Sequence, residues 1–225
     1  MGDIRLIKKV KIDELYKNIP KHIKPLFEGK IYPWGILPEI KSFVASIVEK
    51  GLEGYTKLSE GVLVGENVKI AQGVVIEAPA IIGHGCELRT GAFIRGSVII
   101  CDGCVVGNST ELKNCILMNG VQVPHYNYVG DSIFGNRAHT GAGTICSNLK
   151  ADHKNIFIHG DIEYETNLRK VGAFLGDFAD IGCNSVMNPG TVVGINTTVY
   201  PLTSLRGVYP ENCIVKETNI VVKKI

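Results

Sequence analysis

The chain repeats itself every six residues, and that period restricts its fold more than any other feature. Stepping by six from Leu58 lands on Val64, Ile70, Ile76, Ile82, Leu88, Ile94, Ile100, Val106, Leu112 and Met118, all aliphatic or methionine. A second column lies four residues beyond each: Val62, Val68, Val74, Ala80, Cys86, Ala92, Val98, Cys104, Thr110, Ile116 and Gln122, small or β-branched until its last member. The pattern resumes at Leu175, Ile181, Met187, Val193 and Val199, with Ala179, Ser185, Thr191, Thr197 and Thr203 in the second column. A period of six fits neither a helix nor the alternation of hairpin strands. It fits short strands joined by sharp turns, with the large aliphatic filling an interior and the small residue near a corner.

Hexapeptide repeats of this kind resemble the left-handed parallel β-helix, in which three hexapeptides make one triangular coil. The expectation is an all-β solenoid over residues 58–225, with residues 18 apart stacked at the strand spacing of about 4.8 Å. Ile100 then stacks on Ile82 and Cys104 on Cys86, while Cys101 falls at an outward turn position. Buried aliphatics at about 1.5–3 kcal/mol each would fix one register strongly. Residues 1–57 lack the repeat and are expected to form a helical N-terminal cap or packing arm over the solenoid. Helical spacing runs through Asp13–Phe27 and again through Leu37–Gly51, where Gly51 supplies a stop, and four prolines cut the segment into short pieces. Ile220, Val221 and Val222 suggest a last strand before a solvated tail.

Charge excludes more than it suggests. With 24 basic and 22 acidic residues, no strong field points to nucleic acid or an anionic membrane. Uninterrupted apolar stretches fall well short of the roughly 20 residues of a spanning helix. Met1–Lys11 mixes charged and aliphatic residues without the apolar core of a secretion signal, so a cytoplasmic protein is expected. The 7 cysteines are scattered and odd in number. The Cys101/Cys104 pair has no second CxxC to complete a zinc site, and Cys104 belongs to the interior column, so neither zinc nor a disulfide is expected there.

The repeat fails twice, at Val123–Tyr128 and over a charged segment from about 147 to 174, and interruptions of a regular solenoid are where function concentrates. Around them, His125-Tyr126-Asn127-Tyr128-Val129-Gly130-Asp131, then Gly141-Ala142-Gly143-Thr144-Ile145 and Asn148, closely resemble the acetyltransferase domain of the bifunctional glucosamine-1-phosphate acetyltransferase/N-acetylglucosamine-1-phosphate uridyltransferase. Thr166-Asn167-Leu168-Arg169-Lys170 and Gly182–Gly194 look more like the C-terminal domain of related sugar-1-phosphate nucleotidyltransferases. The resemblance covers roughly residues 60–205.

Position by position, the resemblance implies His125 as catalytic base and Glu111 as the carboxylate that orients it. It implies Lys113, Tyr128, Asn148 and Lys154 as the grip on a sugar phosphate, with an arginine at either Arg95, by spacing, or Arg89, by context. Ala142 and Cys183 fall where the family contacts acetyl-CoA, and the family packs as a homotrimer. The implied activity is transfer of an acetyl group from acetyl-CoA to the amine of an amino sugar phosphate, with no metal in the chemical step. This chain departs from the family at His139, an asparagine there, at Leu149, a tyrosine, and at Cys183, a serine. No Gly-x-Gly-x-Arg nucleotide loop occurs in the sequence.

The residue types suit that chemistry independently. Attack of an amine on a thioester needs a proton acceptor near neutral pH, which histidine provides. Backbone N–H groups of Gly141–Gly143 could stabilise an oxyanion, and lysines and an arginine match a phosphate. Two rivals share the fold class: a non-catalytic assembly subunit, and a γ-type carbonic anhydrase. The second needs two zinc histidines five apart, and no pair among His22, His84, His125, His139, His153 and His159 has that spacing.

Overall fold

In the computed structural model, which describes residues 8–217 and 220–224, the chain is a left-handed parallel β-helix. Its strands stack into three parallel faces. Face one climbs through Val62–Val64, Ala80–Ile82, Val98–Ile100, the second half of Glu111–Leu117, the second half of Tyr128–Phe134, Ala173–Leu175, Thr191–Val193 and Val208–Tyr209. Face two runs from Lys69–Ile70 through Val105–Asn108, Gln122–His125 and His139–Thr140 to Cys213–Glu217. Face three carries Val75–Glu77, Phe93–Arg95, Glu111–Lys113, Tyr128–Gly130, Ile145–Cys146, Val186–Met187 and Ser204–Leu205. The strand Ile220–Lys223 folds back antiparallel on Cys213–Glu217 and closes face two.

The interior is the repeat made solid. Ile82, Leu88, Ile94, Ile100, Val106 and Leu112 form one buried cluster with Cys86, Ala92 and Cys104, and the resumed columns from Leu175 to Thr203 are buried throughout. The lowest coil differs. Leu58 sits in an antiparallel strand before the first coil and is half exposed, and Ile70 is also exposed, because among the described residues no strand pairs beneath Lys69–Ile70.

Six-residue stepping loses its place above Leu112. Val98 pairs with Cys115, 17 residues on, and Ser132 follows after another 17. The lost residue is at the corner between faces three and one, where Gly96 and Ser97 are replaced by Asn114 alone and then by Asp131 alone, each at positive φ. Strand side chains alternate in and out, so a one-residue slip exchanges the faces. Cys115 and Leu117 therefore point inward, Ile116 and Met118 outward, and Gln122 is exposed. For the same reason Val123–Tyr128 is no break: Gln122–His125 and Tyr128–Phe134 continue their ladders in register. Gly107 lets that coil close, because a Cβ there would collide with the Pro124 carbonyl above it.

The N-terminal segment consists of α1 (Ile12–Leu15), α2 (Lys24–Phe27), a 3-10 turn at Pro33–Glu39 and α3 (Ile40–Lys50), which Gly51 ends at φ 76°. Its first seven residues lie outside the described ones. The described part of the arm lies along face one. Ile81, Ile99, Ile116, Ile133 and Phe174 point outward from that face, and with Leu15, Ile23, Ile36, Ile40 and Val44 they form a second core. Cys101 is outward as expected, yet fully buried, because the arm covers it and places His22 Nε2 3.7 Å from its thiol. All seven cysteines are free. Among the described residues no helix is long and apolar enough to cross a membrane.

The real insertion starts after Ile145–Cys146 and returns at Ala173–Leu175, leaving and re-entering at the corner that held Asn114 and Asp131. It contains a small hairpin, Phe157–His159 against Glu163–Glu165. Tyr164 of the hairpin packs edge-on to Tyr32 of the arm, with ring centroids 5.4 Å apart, so arm and loop brace each other.

Candidate functional site

Face three carries the candidate residues between its two edges. On the edge shared with face two, successive turns stack by backbone hydrogen bonds. Tyr126 N–H donates to Asn108, Gly143 N–H to the His125 carbonyl at 3.1 Å, Asn184 N–H to Ala142 at 2.8 Å and Leu202 N–H to Cys183 at 2.9 Å. His125, Ala142 and Cys183 thus occupy three consecutive turns. Gly141 lets the upper two approach, since a Cβ would lie 2.6 Å from Cys183 N. Of the three N–H groups expected to serve an oxyanion, those of Gly141 and Gly143 are taken by the ladder, leaving Ala142.

The opposite edge is the corner stack, and Asp131 is its centre. Asp131 is 4% exposed, and its carboxylate accepts from Asn114 Nδ2 at 2.8 Å, Asn148 Nδ2 at 2.5 Å and Lys113 Nζ at 3.3 Å. Asn148 Nδ2 also donates to the Tyr128 hydroxyl at 3.1 Å. Burial raises the Tyr128 phenol above its ordinary pKa, so it stays protonated near neutrality. A buried carboxylate is tolerated only with such partners. The stack therefore fixes Lys113, Tyr128 and Asn148 as one unit.

Between the edges, Arg95 and Glu111 face outward from neighbouring strands and pair at 2.6 Å, the carboxylate holding the guanidinium above its usual pKa. Within one chain the Glu111 carboxylate meets Arg95 through Oε1, a charge-assisted contact. The structure also distinguishes the two arginines. Arg95 shares face three with Lys113, whereas Arg89 closes a strand of face two and pairs with Glu87 at 2.8 Å. Lys154 stands exposed in the loop, its N–H held by Asp152, and lines neither cavity beside the loop. His139 is on face two, where Nδ1 meets Asp180 at 2.7 Å; that hydrogen bond draws the Asp180 carboxyl below its usual pKa.

Two cavities flank the loop. One, of about 490 Å³, lies between arm, corner and loop and is lined by Asn114, Asp131, Leu37, Pro38, Arg169 and Lys170 among others. The second, of about 620 Å³, lies above it against Asn188 and Arg206. Sequence reasoning gave no role to Asp131, Asn114 or the loop's Arg169 and Lys170. A signal was present: Asn114, Asp131 and Asn148 are spaced 17 apart, a column that stepping by 6 or 18 passes over. No group of three or more His, Cys, Asp or Glu residues suited to a metal ion occurs among the described residues.

Comparison with known proteins agrees with this architecture. The family described as GMPPB C-terminal domain matches residues 77–162. "Bifunctional protein GlmU" of Methanococcus vannielii is 30% identical over 196 residues, 85% of this chain and 47% of that protein. The same-named protein of Methanococcus maripaludis strain S2 is 29% identical over 99% of this chain and 56% of its own length. A "bifunctional sugar-1-phosphate nucleotidylyltransferase/acetyltransferase" of Sulfurisphaera tokodaii is 31% identical over 75% of this chain and 43% of its own. The chain spans about half the length of these relatives. Through the solenoid that carries the site, the chain resembles the hexapeptide-repeat acyltransferase superfamily and, within it, the bifunctional sugar-1-phosphate nucleotidyltransferase/acetyltransferases.

Proposed function

We propose that the protein is a coenzyme A-dependent N-acyltransferase that moves an acetyl group from acetyl-CoA to the amine of an amino sugar phosphate. The observation that carries this reading is the arrangement of face three. His125 stands in one turn directly below Ala142 and Cys183, while Lys113, Tyr128 and Asn148 are locked together on the opposite edge. The first group suits a thioester, the second a phosphorylated acceptor, and a strand of about three residues separates them.

In the proposed step the acceptor nitrogen attacks the thioester carbonyl, the carbon–sulfur bond breaks, and coenzyme A leaves as its thiolate. His125 takes the proton lost by the nitrogen and returns it to the sulfur. The Ala142 N–H, free of the turn ladder, is the donor for the transient oxyanion. Lys113 and Arg95 supply positive charge to the phosphate, and Tyr128, kept protonated by its burial, donates a hydrogen bond.

The site is open: His125 and Tyr126 are exposed among the described residues. A homotrimer would cover these side chains with a neighbouring rod, and light scattering at micromolar concentration should report three chains. The test of the chemistry is His125→Ala, which should lower acetyl transfer by about 10²–10⁴-fold with acetyl-CoA affinity unchanged. Undiminished turnover would remove His125 as the base.

A further inference from the structure

We propose, resting on the acyl-transfer reading above, that the acceptor's phosphate belongs to a nucleoside diphosphate, whose distal part occupies the cavity between the arm and the inserted loop. The charge distribution points there. On face three each cation already holds a carboxylate, Arg95 that of Glu111 and Lys113 that of Asp131. In the cavity the balance is reversed. Arg169 gives only its Nε to the His153 carbonyl, at 3.1 Å, and neither Arg169 nor Lys170 forms an ion pair among the described residues. Two unpaired cations on one concave wall suit an anion additional to the one beside Lys113.

The arm's contribution is apolar: Leu37 and Pro38 line the same space, and Leu149 and Leu168 of the loop add to the apolar lining. A hexosamine monophosphate has one anionic group and little apolar surface, and it leaves this lining without a partner. A nucleoside offers a planar base for the apolar side and a second phosphate for Arg169 and Lys170. The cavity's volume of about 490 Å³ lies in the range of small-ligand sites. It is also contiguous with the acceptor groups, because Asp131 lines it while accepting from Lys113 at 3.3 Å. The arm accordingly acts as a wall of the acceptor site as well as a cover for face one.

The test is equilibrium binding of UDP, dTDP, GDP and ADP to the full chain by calorimetry, beside a hexosamine 1-phosphate. At least one nucleoside diphosphate should bind at micromolar concentration. The double variant Arg169→Ala/Lys170→Ala should weaken it at least tenfold and leave hexosamine 1-phosphate binding within twofold. Both residues are on the loop surface, and a melting curve checks that the fold persists. Binding of the hexosamine phosphate with none of the four diphosphates, or unchanged diphosphate binding in the double variant, overturns the inference and leaves the acyl-transfer reading standing. Diphosphate binding without acetyl transfer to any amino sugar, free or nucleotide-linked, refutes that reading instead.

Discussion

Asn148 stands one coil above Asp131 and donates its side-chain amide to the buried carboxylate at 2.5 Å, at the place where the inserted loop leaves the solenoid. This contact ties the loop's first residues to the corner that also holds Lys113, Asn114 and, through Asn148, Tyr128. Changes in the corner should therefore be felt by acceptor recognition before they are felt by the thioester side.

Asp131→Asn tests that dependence. The amide keeps the size of the side chain but loses the charge for Lys113 and replaces an acceptor with a donor facing an amide nitrogen. Charge-assisted hydrogen bonds contribute about 1.5–3 kcal/mol each, so a loss of roughly 2–4 kcal/mol of stability is expected in denaturant melts. The acceptor KM should rise about tenfold or more while the Kd for acetyl-CoA is unchanged. Equal weakening of both ligands would show that Asp131 supports the whole face rather than one edge.

Gly107→Ala tests the shortened coils. The added methyl meets the Pro124 carbonyl, rigid backbone of the next coil, and neither can yield without breaking a ladder. Overpacking costs typically about 1–3 kcal/mol, and a backbone collision belongs at or above the top of that range. The melting temperature should fall sharply, whereas Gly85→Ala, where a Cβ meets nothing within 4 Å but the φ is positive, should cost less. Equal effects would mean that the close approach of Gly107 to Pro124 is not the limiting feature.

Thiol accessibility follows from the repeat. Six cysteines are buried and only Cys183 is exposed. Burial pushes the Cys101 and Cys104 thiols well above their ordinary pKa, and the Cys146 thiol up to about 12. The native protein should react with one equivalent of an aromatic disulfide reagent, lost in Cys183→Ser, and the unfolded chain with seven. Fast labelling of a second thiol in the native state would contradict the packing of the arm over Cys101.

Acid should loosen that packing through His22. Burial between the arm and Cys101 lowers the imidazole pKa, an effect the Asp102 carboxylate only partly offsets. Below its unfolded value of about 6.5, the unfolded chain binds a proton that the folded chain resists. This contribution to stability is complete above that pH and is lost as pH falls through the lower folded value. His22→Gln should therefore flatten part of the decline in melting temperature between about pH 7 and pH 5. An identical slope in the variant would show that His22 does not report on the arm.

The sequence by itself determined the solenoid. Its six-residue columns are the interior, from Ala80 to Leu112 and again from Leu175 to Val199, because each coil makes the same local demand for one large and one small inward side chain. The resemblance singled out His125, Ala142 and Cys183, and stacking of the coils sets them in consecutive turns. Where coils shorten, only the stacking of one coil on another decides, because a corner of one residue or two is equally acceptable locally yet inverts every later side chain. Ile116 and Met118 turned outward on that account. The outward apolar stripe Ile81, Ile99, Ile116, Ile133 and Phe174 acquires its meaning only when the arm lies on it, and nothing in the arm's own helical spacing says which face it will cover. Arg95 meets Glu111 at 2.6 Å only because one coil stacks on the next, and the sequence does not pair them. Contacts between coils, and between arm and coil, join residues distant in sequence, and their energies depend on three-dimensional register that no local pattern contains.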